Sequence, residues 1–133
     1  METLHARLIS PEGVIFEGAV RSVLLSGVEG DMTVLPGHAP VMTLLFPGMI
    51  FAIDADGKGL RAFVRGGVAE ITGAEINVLA ERVLPVEEVT RERIDEEISH
   101  LRLVRDAAAD ETSRAEANVA ISRLEEYKGS LRL

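Results

Sequence analysis

Histidines, cysteines and glycine-rich segments are the first features that could indicate chemistry in this chain. The three histidines, His5, His38 and His100, lie far apart in the sequence. Zinc and iron sites usually take ligands from closely spaced positions, so this spacing predicts no metal site. The chain contains no cysteine, which excludes thiolate ligands and disulfides. We therefore expect neither a bound metal ion nor a cofactor.

Nucleotide-binding and acyl-transfer motifs are absent from the sequence. Gly27-Val28-Glu29-Gly30 is rich in glycine, but the Lys-Ser or Lys-Thr pair of a phosphate-binding loop does not follow it. Asp31 stands there instead, and its carboxylate would repel a phosphate. No Gly-x-Ser-x-Gly elbow is present either. This segment is interpreted as a turn between two strands.

Paired carboxylates raise the alternative of a hydrolase. Glu29 and Asp31 are two residues apart on a short turn, whereas the two acids of a glycosidase face each other across a substrate cleft. The acidic runs Asp95-Glu96-Glu97 and Glu125-Glu126 fall on predicted helices, where such runs usually form solvated faces. We therefore predict no catalytic residue in the chain.

The segment from Ser26 to Pro47 concentrates three glycines, three prolines, two acids and a histidine among apolar residues. One interpretation is a pair of irregular connections at one end of a β-sandwich. The other is a binding surface, because loops held by a rigid scaffold often carry function. Composition leaves both interpretations open.

The charge and hydropathy of the chain limit the classes of partner that it can bind. The chain has 133 residues, 47% hydrophobic and 27% charged, and a formal net charge of -8. Nucleic acid and anionic lipid both require a basic surface, so neither is an expected partner. No apolar run approaches the roughly 18 residues of a membrane span, and the first residues do not resemble a signal peptide.

Composition changes near Pro85, which predicts two domains, 1–85 and 86–133. All five prolines and eleven of the twelve glycines lie at or before this residue. Short apolar stretches between turn signals predict strands in the first domain, packed in two layers as a sandwich or barrel. The predicted strands are 4–9, 14–16, 19–25, 32–35, 49–53, 60–64, 68–71 and 76–79.

The second domain is predicted to be two antiparallel helices separated at 106–112. Thr90 is the expected N-cap of the first helix, Ser113 with Glu116 forms a capping-box pattern for the second, and Gly129 can end it. The apolar stripes are Ile94, Ile98, Leu101 and Val104 on the first helix, and Ala117, Ile121, Leu124 and Lys128 on the second. Because alanine buries little area, this hairpin is expected to dock against another surface or to move.

Several motifs in the first domain resemble the ATP synthase epsilon family, which is called delta in mitochondria. The match covers residues 3–85 in order. The motifs are Ser10-Pro11-Glu12, Val14-Ile15-Phe16-Glu17-Gly18, Gly27-Val28-Glu29-Gly30-Asp31, Leu35-Pro36-Gly37-His38-Ala39-Pro40, Pro47-Gly48, Arg65-Gly66-Gly67-Val68-Ala69-Glu70 and Asn77-Val78-Leu79-Ala80-Glu81.

The resemblance implies a ten-stranded β-sandwich followed by an antiparallel two-helix hairpin. It implies a non-catalytic subunit in the rotor of a proton-translocating synthase, between the gamma shaft and the polar loops of the c-ring. The family's ring-contacting loop corresponds to Glu29, Gly30 and Asp31, with His38 on a neighbouring turn. The expected location is the cytoplasmic face of a bacterial inner membrane, which the chain would contact only through the complex.

The resemblance also suggests a regulatory hairpin, because in this family the hairpin can inhibit ATP hydrolysis. Some members bind ATP there through an I-D-x-x-R-A motif. This chain has Ile94-Asp95-Glu96-Glu97-Ile98-Ser99, in which Ile98 replaces the arginine, so ATP binding is not expected. Inhibition remains a hypothesis, in which cationic side chains meet acidic surfaces of the alpha and beta catalytic subunits. These side chains are Arg102, Arg105, Arg114 and Arg123.

Overall fold

The computed structural model describes residues 2–28, 30–85 and 89–130, without the side chains of Pro85 and Ser130. The chain divides into two compact units, Met1–Val86 and Glu87–Leu133. The described part of the first unit contains nine strands. They are β1 Leu4–Ser10, β2 Gly13–Gly27, β3 Gly30–Val34, β4 Val41–Leu45, β5 Gly48–Asp54, β6 Gly59–Val64, β7 Gly67–Ile71, β8 Glu75–Ala80 and β9 Val83–Pro85.

The strands form one hydrogen-bonded sheet that folds back on itself through β2. The order is β1-β8-β7-β4-β2-β5-β6-β9, with β3 paired to β2 and a further pairing between β1 and β2. The first half of β2 pairs with β1, whereas its second half pairs with β3 and β5. The sheet therefore has two parts that enclose a common apolar core, which confirms the predicted sandwich followed by helices.

The number of strands depends on how β2 is counted. The sequence predicts separate strands at 14–16 and 19–25, but Gly18 pairs with Ala6 and the ladder continues through it. A single 15-residue strand thus replaces two predicted ones. This continuity accounts for nine strands in the described residues where the resemblance implies ten.

The sequence does not predict β4 and β9. β4 lies between Pro40 and Pro47, in the segment 26–47 that the sequence interprets either as a pair of irregular connections or as a binding surface. β3, predicted at 32–35, and β4 together occupy ten residues of this segment, so it is more regular than the first interpretation supposes. Proline can end a strand, but two prolines do not prevent a strand from forming between them.

Alternation along the strands builds the core. In β1, Leu4, Ala6 and Leu8 are buried, while the intervening side chains are partly exposed. Alternate side chains of a strand point to opposite faces, so one face of β1 packs inward. The same pattern in β5 and β8 supplies Ile50, Ala52, Ile76 and Val78 to the core cluster.

The described part of the second unit contains two helices, α1 Arg91–Asp106 and α2 Glu111–Ser130. The predicted N-cap of α1 is confirmed, because the Thr90 hydroxyl accepts a hydrogen bond from the Arg93 N–H at 3.2 Å. Ile94 and Ile98 are buried as predicted. Further along the predicted stripe Leu101 is partly buried and Val104 is exposed, so burial of the stripe decreases toward the end of α1.

The start and end of α2 differ from the prediction. Asp110, rather than Ser113, caps the helix: its carboxylate accepts the Ser113 N–H at 2.7 Å. The helix consequently begins at Glu111, two residues before the predicted cap. Gly129 does not end it, because this glycine lacks a positive φ and the helix continues to Ser130. Aspartate caps as well as serine, and one glycine near a helix end costs little.

Two ion pairs join exposed side chains of the antiparallel helices α1 and α2. Lys128 contacts Asp95 at 2.5 Å, and Arg102 lies 3.6 Å from Glu125. Glu97 corrects the prediction that the acidic run is a solvated face, because it is only 3% exposed. It follows Ile94 by three residues and therefore lies on the same side of the helix.

The Asp110 cap makes helix formation in the second unit depend on pH. Hydrogen bonds from the Ser113 backbone N–H and hydroxyl to the carboxylate lower the pKa of Asp110. The capping contribution is therefore complete above the unfolded pKa, and it is lost as the pH falls through the lower folded value. We expect Asp110→Ala to lower the thermal midpoint of helix loss at neutral pH, measured by circular dichroism.

A matched control separates the cap from a general loss of charge. Glu126→Ala removes an exposed carboxylate from the body of α2 and should leave this pH dependence in place. The difference in midpoint between the wild type and Asp110→Ala should shrink toward acid pH. An equal difference at all pH values would contradict capping by the charged carboxylate.

Candidate interaction surfaces

The turn between β2 and β3 is the first surface that the sequence singles out. β2 ends at Gly27 and β3 begins at Gly30, which pair with each other. A Cβ atom at Gly27 would lie 2.8 Å from the Gly30 carbonyl oxygen, and Gly30 has a φ of 128°. Both positions therefore require glycine. Glu29, a candidate ring contact, lies outside the described residues.

Asp31 is the described acidic residue of this turn, and it is exposed. Its strand partner is Ser26, whose hydroxyl donates to the Phe46 carbonyl at 2.9 Å. Asp31 lines an open groove with β4 residues, among them Met42 and Leu44. The structure thus places one carboxylate on a turn whose geometry is set by the sheet.

His38 lies on the connection between β3 and β4 and is partly exposed. The His38 Nδ1 atom is 2.7 Å from the Ala39 carbonyl oxygen, and the His38 backbone N–H donates a hydrogen bond to the Leu35 carbonyl. Gly37 joins this connection to the β7–β8 turn through a hydrogen bond to the Gly73 carbonyl. His38 does not line the groove that contains Asp31, so the two candidates are on separate features.

An exposed apolar row on β4, β7 and β8 is a feature that the sequence analysis missed. Leu44 pairs with Val68, and Val68 pairs with Leu79, so the three side chains share one face of the sheet. Leu44 is 55% and Leu79 54% exposed, and Met42 on the same strand is 65% exposed. The signal was the sequence Val41–Leu45, in which both faces of a strand are apolar. We call Met42, Leu44, Val68 and Leu79 the outer apolar row.

A small charged cluster lies elsewhere on β1 and β2. One carboxylate oxygen of Glu17 is 2.8 Å from His5 Nε2 and 2.9 Å from Arg7 Nη2. The hydrogen bonds from His5 and Arg7 lower the pKa of Glu17. All three side chains are substantially exposed, so this cluster tolerates solvent and indicates a surface ion pair rather than a proton-transfer site.

The hairpin arginines mostly contact neighbours within the second unit. Arg102 pairs with Glu125, and Arg105 contacts Asp106 and donates to Asn118 at 3.3 Å. Arg114 donates to the Ala108 carbonyl at 3.5 Å. Use of these cations by another subunit would compete with contacts that already exist.

Ile98 occupies the position at which the family's ATP-binding motif has an arginine. Ile98 is buried and Asp95 of the same motif pairs with Lys128. Within the described ranges there is no group of three or more potential metal-ligating side chains. No described helix is both long and apolar enough to cross a membrane.

Comparison with known proteins identifies the family. The profile described as ATP synthase, delta/epsilon chain, β-sandwich domain matches residues 3–86. The ATP synthase epsilon chain of Maricaulis maris is 41% identical over 124 residues, which are 93% of this chain and 92% of the relative. This chain belongs to the ATP synthase epsilon family. It is therefore a non-catalytic subunit type, which agrees with the resemblance described above.

Two solved structures share the fold of this epsilon-family chain. One is a chain of the Euglena gracilis mitochondrial ATP synthase OSCP/F1/c-ring complex, with a TM-score of 0.73 and 22% identity, covering 98% of this chain and 82% of that one. The other is from the Tetrahymena thermophila mitochondrial central stalk and c-ring, with a TM-score of 0.61 and 8% identity, covering 96% and 97%. Sequence identities this low show that the fold is shared and no more.

Proposed function

We propose that this epsilon-family chain joins the gamma shaft to the c-ring in the rotor of a proton-translocating ATP synthase. The single observation that carries the proposal is that one sheet presents an exposed apolar row and an adjoining acidic turn, which meet in the groove lined by Asp31, Met42 and Leu44. The outer apolar row is suited to a large apolar partner, and the β2–β3 turn presents a carboxylate. A joint that transmits torque needs this combination of a rigid body and two contacts.

The outer apolar row is the proposed gamma-binding surface. Leu44 and Leu79, each more than half exposed on either side of β7, are unfavourable in water, and a partner that covers them gains about 25 cal/mol per Å² of buried apolar area. Glu70 pairs with Met42 across β4 and β7, which places one charge beside the row. Such a charge adds orientation more than affinity.

The β2–β3 turn is the proposed ring contact, with Glu29, Gly30 and Asp31 as the contacting residues. The net charge of -8 favours basic groups on the polar loops of the ring. His38 is retained as a proposed neighbouring contact, on its own connection. The Euglena and Tetrahymena complexes that share this fold contain a c-ring, which supports the proposed place in the assembly.

Reversing the charge of Asp31 tests the ring contact. We expect Asp31→Lys to weaken retention of the c-ring by roughly tenfold, since opposite charges become like charges at the interface. The gamma contact should persist. The measurement is affinity purification of tagged chain from membranes of its own source, with c-ring and gamma quantified by mass spectrometry at two salt concentrations.

Asp56→Lys is the matched control, because Asp56 is an exposed acid on a different hairpin turn, between β5 and β6. It changes the net charge equally and should retain the ring. The contribution of Asp31 to c-ring binding should also decrease at high salt, because exposed charge pairs are screened. Equal loss of the ring in both variants would reject Asp31 as a specific contact.

The proposed location follows from the assembly. Bound to the c-ring loops, the chain would lie at the cytoplasmic face of a bacterial inner membrane and would touch the membrane only through the complex. Contact of the hairpin with the alpha and beta subunits stays a proposal. Arg102 and Arg105 would have to exchange their present partners to reach acidic surfaces there.

A further inference from the structure

One edge of β3 has no neighbouring strand within the described residues. β3 pairs with β2 along its whole length, and no other described strand pairs with it. An unpaired edge presents backbone N–H and C=O groups to which a further strand can bind. The side chains of Asp31 and Thr33 on this strand are exposed. The edge is therefore a candidate surface for a partner.

The hydrogen bonds of β2 show which backbone groups lie on this edge. β4 is on the edge of β2 opposite β3, because Gly27 pairs with both strands. On the β4 side the Ser26 carbonyl accepts the Phe46 N–H at 2.9 Å, so Ser26 forms no ladder bond to its β3 partner Asp31. The N–H and C=O of Asp31 therefore point away from β2, as do those of Thr33 two residues later. We call these four groups the free edge of β3.

The two faces of β3 determine which side chains an added strand needs. Asp31 and Thr33 are exposed on one face, whereas Met32 on the other face is partly buried against the core. Directly opposite residues of paired strands interact, and opposite charges there are stabilising. A lysine or arginine opposite Asp31 and an apolar residue opposite Met32 therefore complement the edge. The net charge of -8 also favours a basic partner.

A second copy of the chain fits this edge less well than a peptide segment. Two chains that each carry a net charge of -8 repel one another. One strand of five residues also buries far less than the roughly 1,200–2,000 Å² of a stable interface between folded proteins. An extended segment depends less on area, because it gains affinity from main-chain hydrogen bonds to the sheet edge.

We propose that the free edge of β3 binds an extended basic segment of a partner protein by antiparallel strand addition. The segment forms main-chain hydrogen bonds to Asp31 and Thr33 and places a lysine or arginine opposite Asp31. The inference goes beyond the proposed rotor function and does not depend on it. The proposed ring contact uses the Asp31 carboxylate, whereas strand addition also requires the backbone of Thr33.

Titration of the full chain with a designed peptide tests the proposal. The probe is a short peptide in which lysine and threonine alternate with valine, so that the polar side chains share one face. We expect saturable binding by NMR, and hydrogen exchange of the Asp31 and Thr33 amides should slow at least about tenfold at saturation. A peptide with glutamate in place of lysine should bind at least about fivefold more weakly.

Two methylated peptides distinguish strand addition from a general charge effect. In the antiparallel pairing the lysine and threonine residues opposite Asp31 and Thr33 donate the main-chain hydrogen bonds, whereas the valine N–H groups point away. N-methylation of the lysine and threonine residues should therefore weaken binding at least about tenfold. N-methylation of the valines is the matched control and should leave binding within about twofold.

A substitution in β3 tests the same contact from the side of the chain. Thr33→Pro removes an N–H that takes no part in the β2 ladder, and proline is tolerated on the free side of an edge strand. This variant should lose peptide binding, whereas Thr33→Ala keeps the N–H and should bind within about twofold. If Thr33→Pro fails to fold, the two methylated peptides decide the question with the unaltered chain.

Several results would overturn the proposal. They are an absence of peptide binding, equal binding of the two methylated peptides, and equal binding by folded Thr33→Pro and Thr33→Ala. Sedimentation should show a monomeric chain, and a dimer that Thr33→Pro dissociates would identify a second copy as the occupant and contradict the proposal. None of these results would affect the rotor proposal, which is tested by recovery of gamma and the c-ring.

Discussion

Replacing Leu44 and Leu79 together by glutamate is expected to abolish binding of the gamma subunit. The two side chains are 55% and 54% exposed on one face of the sheet, separated by Val68. Burying a leucine stabilises a contact by about 1.5–3 kcal/mol, and an unpaired carboxylate in its place adds a desolvation cost. Affinity should therefore fall by more than about a hundredfold.

The measurement is affinity purification of co-expressed tagged chain and gamma subunit, with circular dichroism to verify that the variant folds. Leu103→Glu is the matched control, because Leu103 is 70% exposed but lies on α1 and not on the sheet that carries the outer apolar row. This control should retain gamma. Full retention by the folded Leu44→Glu, Leu79→Glu variant would exclude the outer apolar row as the gamma contact.

Gly67→Ala is expected to be the most destabilising small substitution in the sandwich. A Cβ atom at this position would lie 2.1 Å from the Leu79 carbonyl oxygen and 2.9 Å from the Ala80 Cα atom. Both neighbours are backbone atoms of β8, so the contact cannot be relieved by rotation of a side chain. The φ of 148° adds strain for any residue with a side chain. We expect a loss of roughly 3–5 kcal/mol in unfolding free energy.

Gly129→Ala provides the contrasting result. No atom lies within 4 Å of a Cβ built at Gly129, and the residue is within α2. Alanine should stabilise the helix by up to about 1 kcal/mol because it has the higher helix propensity. Urea unfolding of both variants gives the two free energies. A small effect of Gly67→Ala would show that β7 and β8 are less closely apposed than described.

Local signals in the sequence predict the parts of the fold that depend on neighbouring residues. The Thr90 cap, the glycines of the β2–β3 turn and the alternation in β1 all belong to this class, and the structure confirms them. Each is determined by interactions within a few residues, so the amino-acid types are sufficient.

Features that depend on distant pairing are not predictable in this way. The outer apolar row exists because Leu44 on β4 comes into register with Val68 and Leu79 on the β7–β8 hairpin, which is distant from β4 in the sequence. Both faces of β4 are apolar, so its sequence does not indicate which face is covered. Glu97 was misassigned for a related reason, since its burial depends on tertiary packing that the acidic run containing it does not reveal.

Competition between equivalent signals explains the remaining difference at α2. Asp110 and Ser113 are both good cap residues three positions apart, and each precedes a helical pattern. The structure selects Asp110, which extends the helix by one turn toward α1. Sequence reasoning had no basis for choosing between them, because the length of the connection is set by the pairing of the two helices.

Purification of the tagged, unaltered chain from membranes of its own source tests the central claim most directly. The claim is that one rigid sheet contacts the gamma shaft and the c-ring at the same time. We predict that gamma and the c-ring are recovered together, in a fixed ratio to the chain. Recovery of neither subunit by a folded chain that exchanges into the complex would contradict its role as the joint between them.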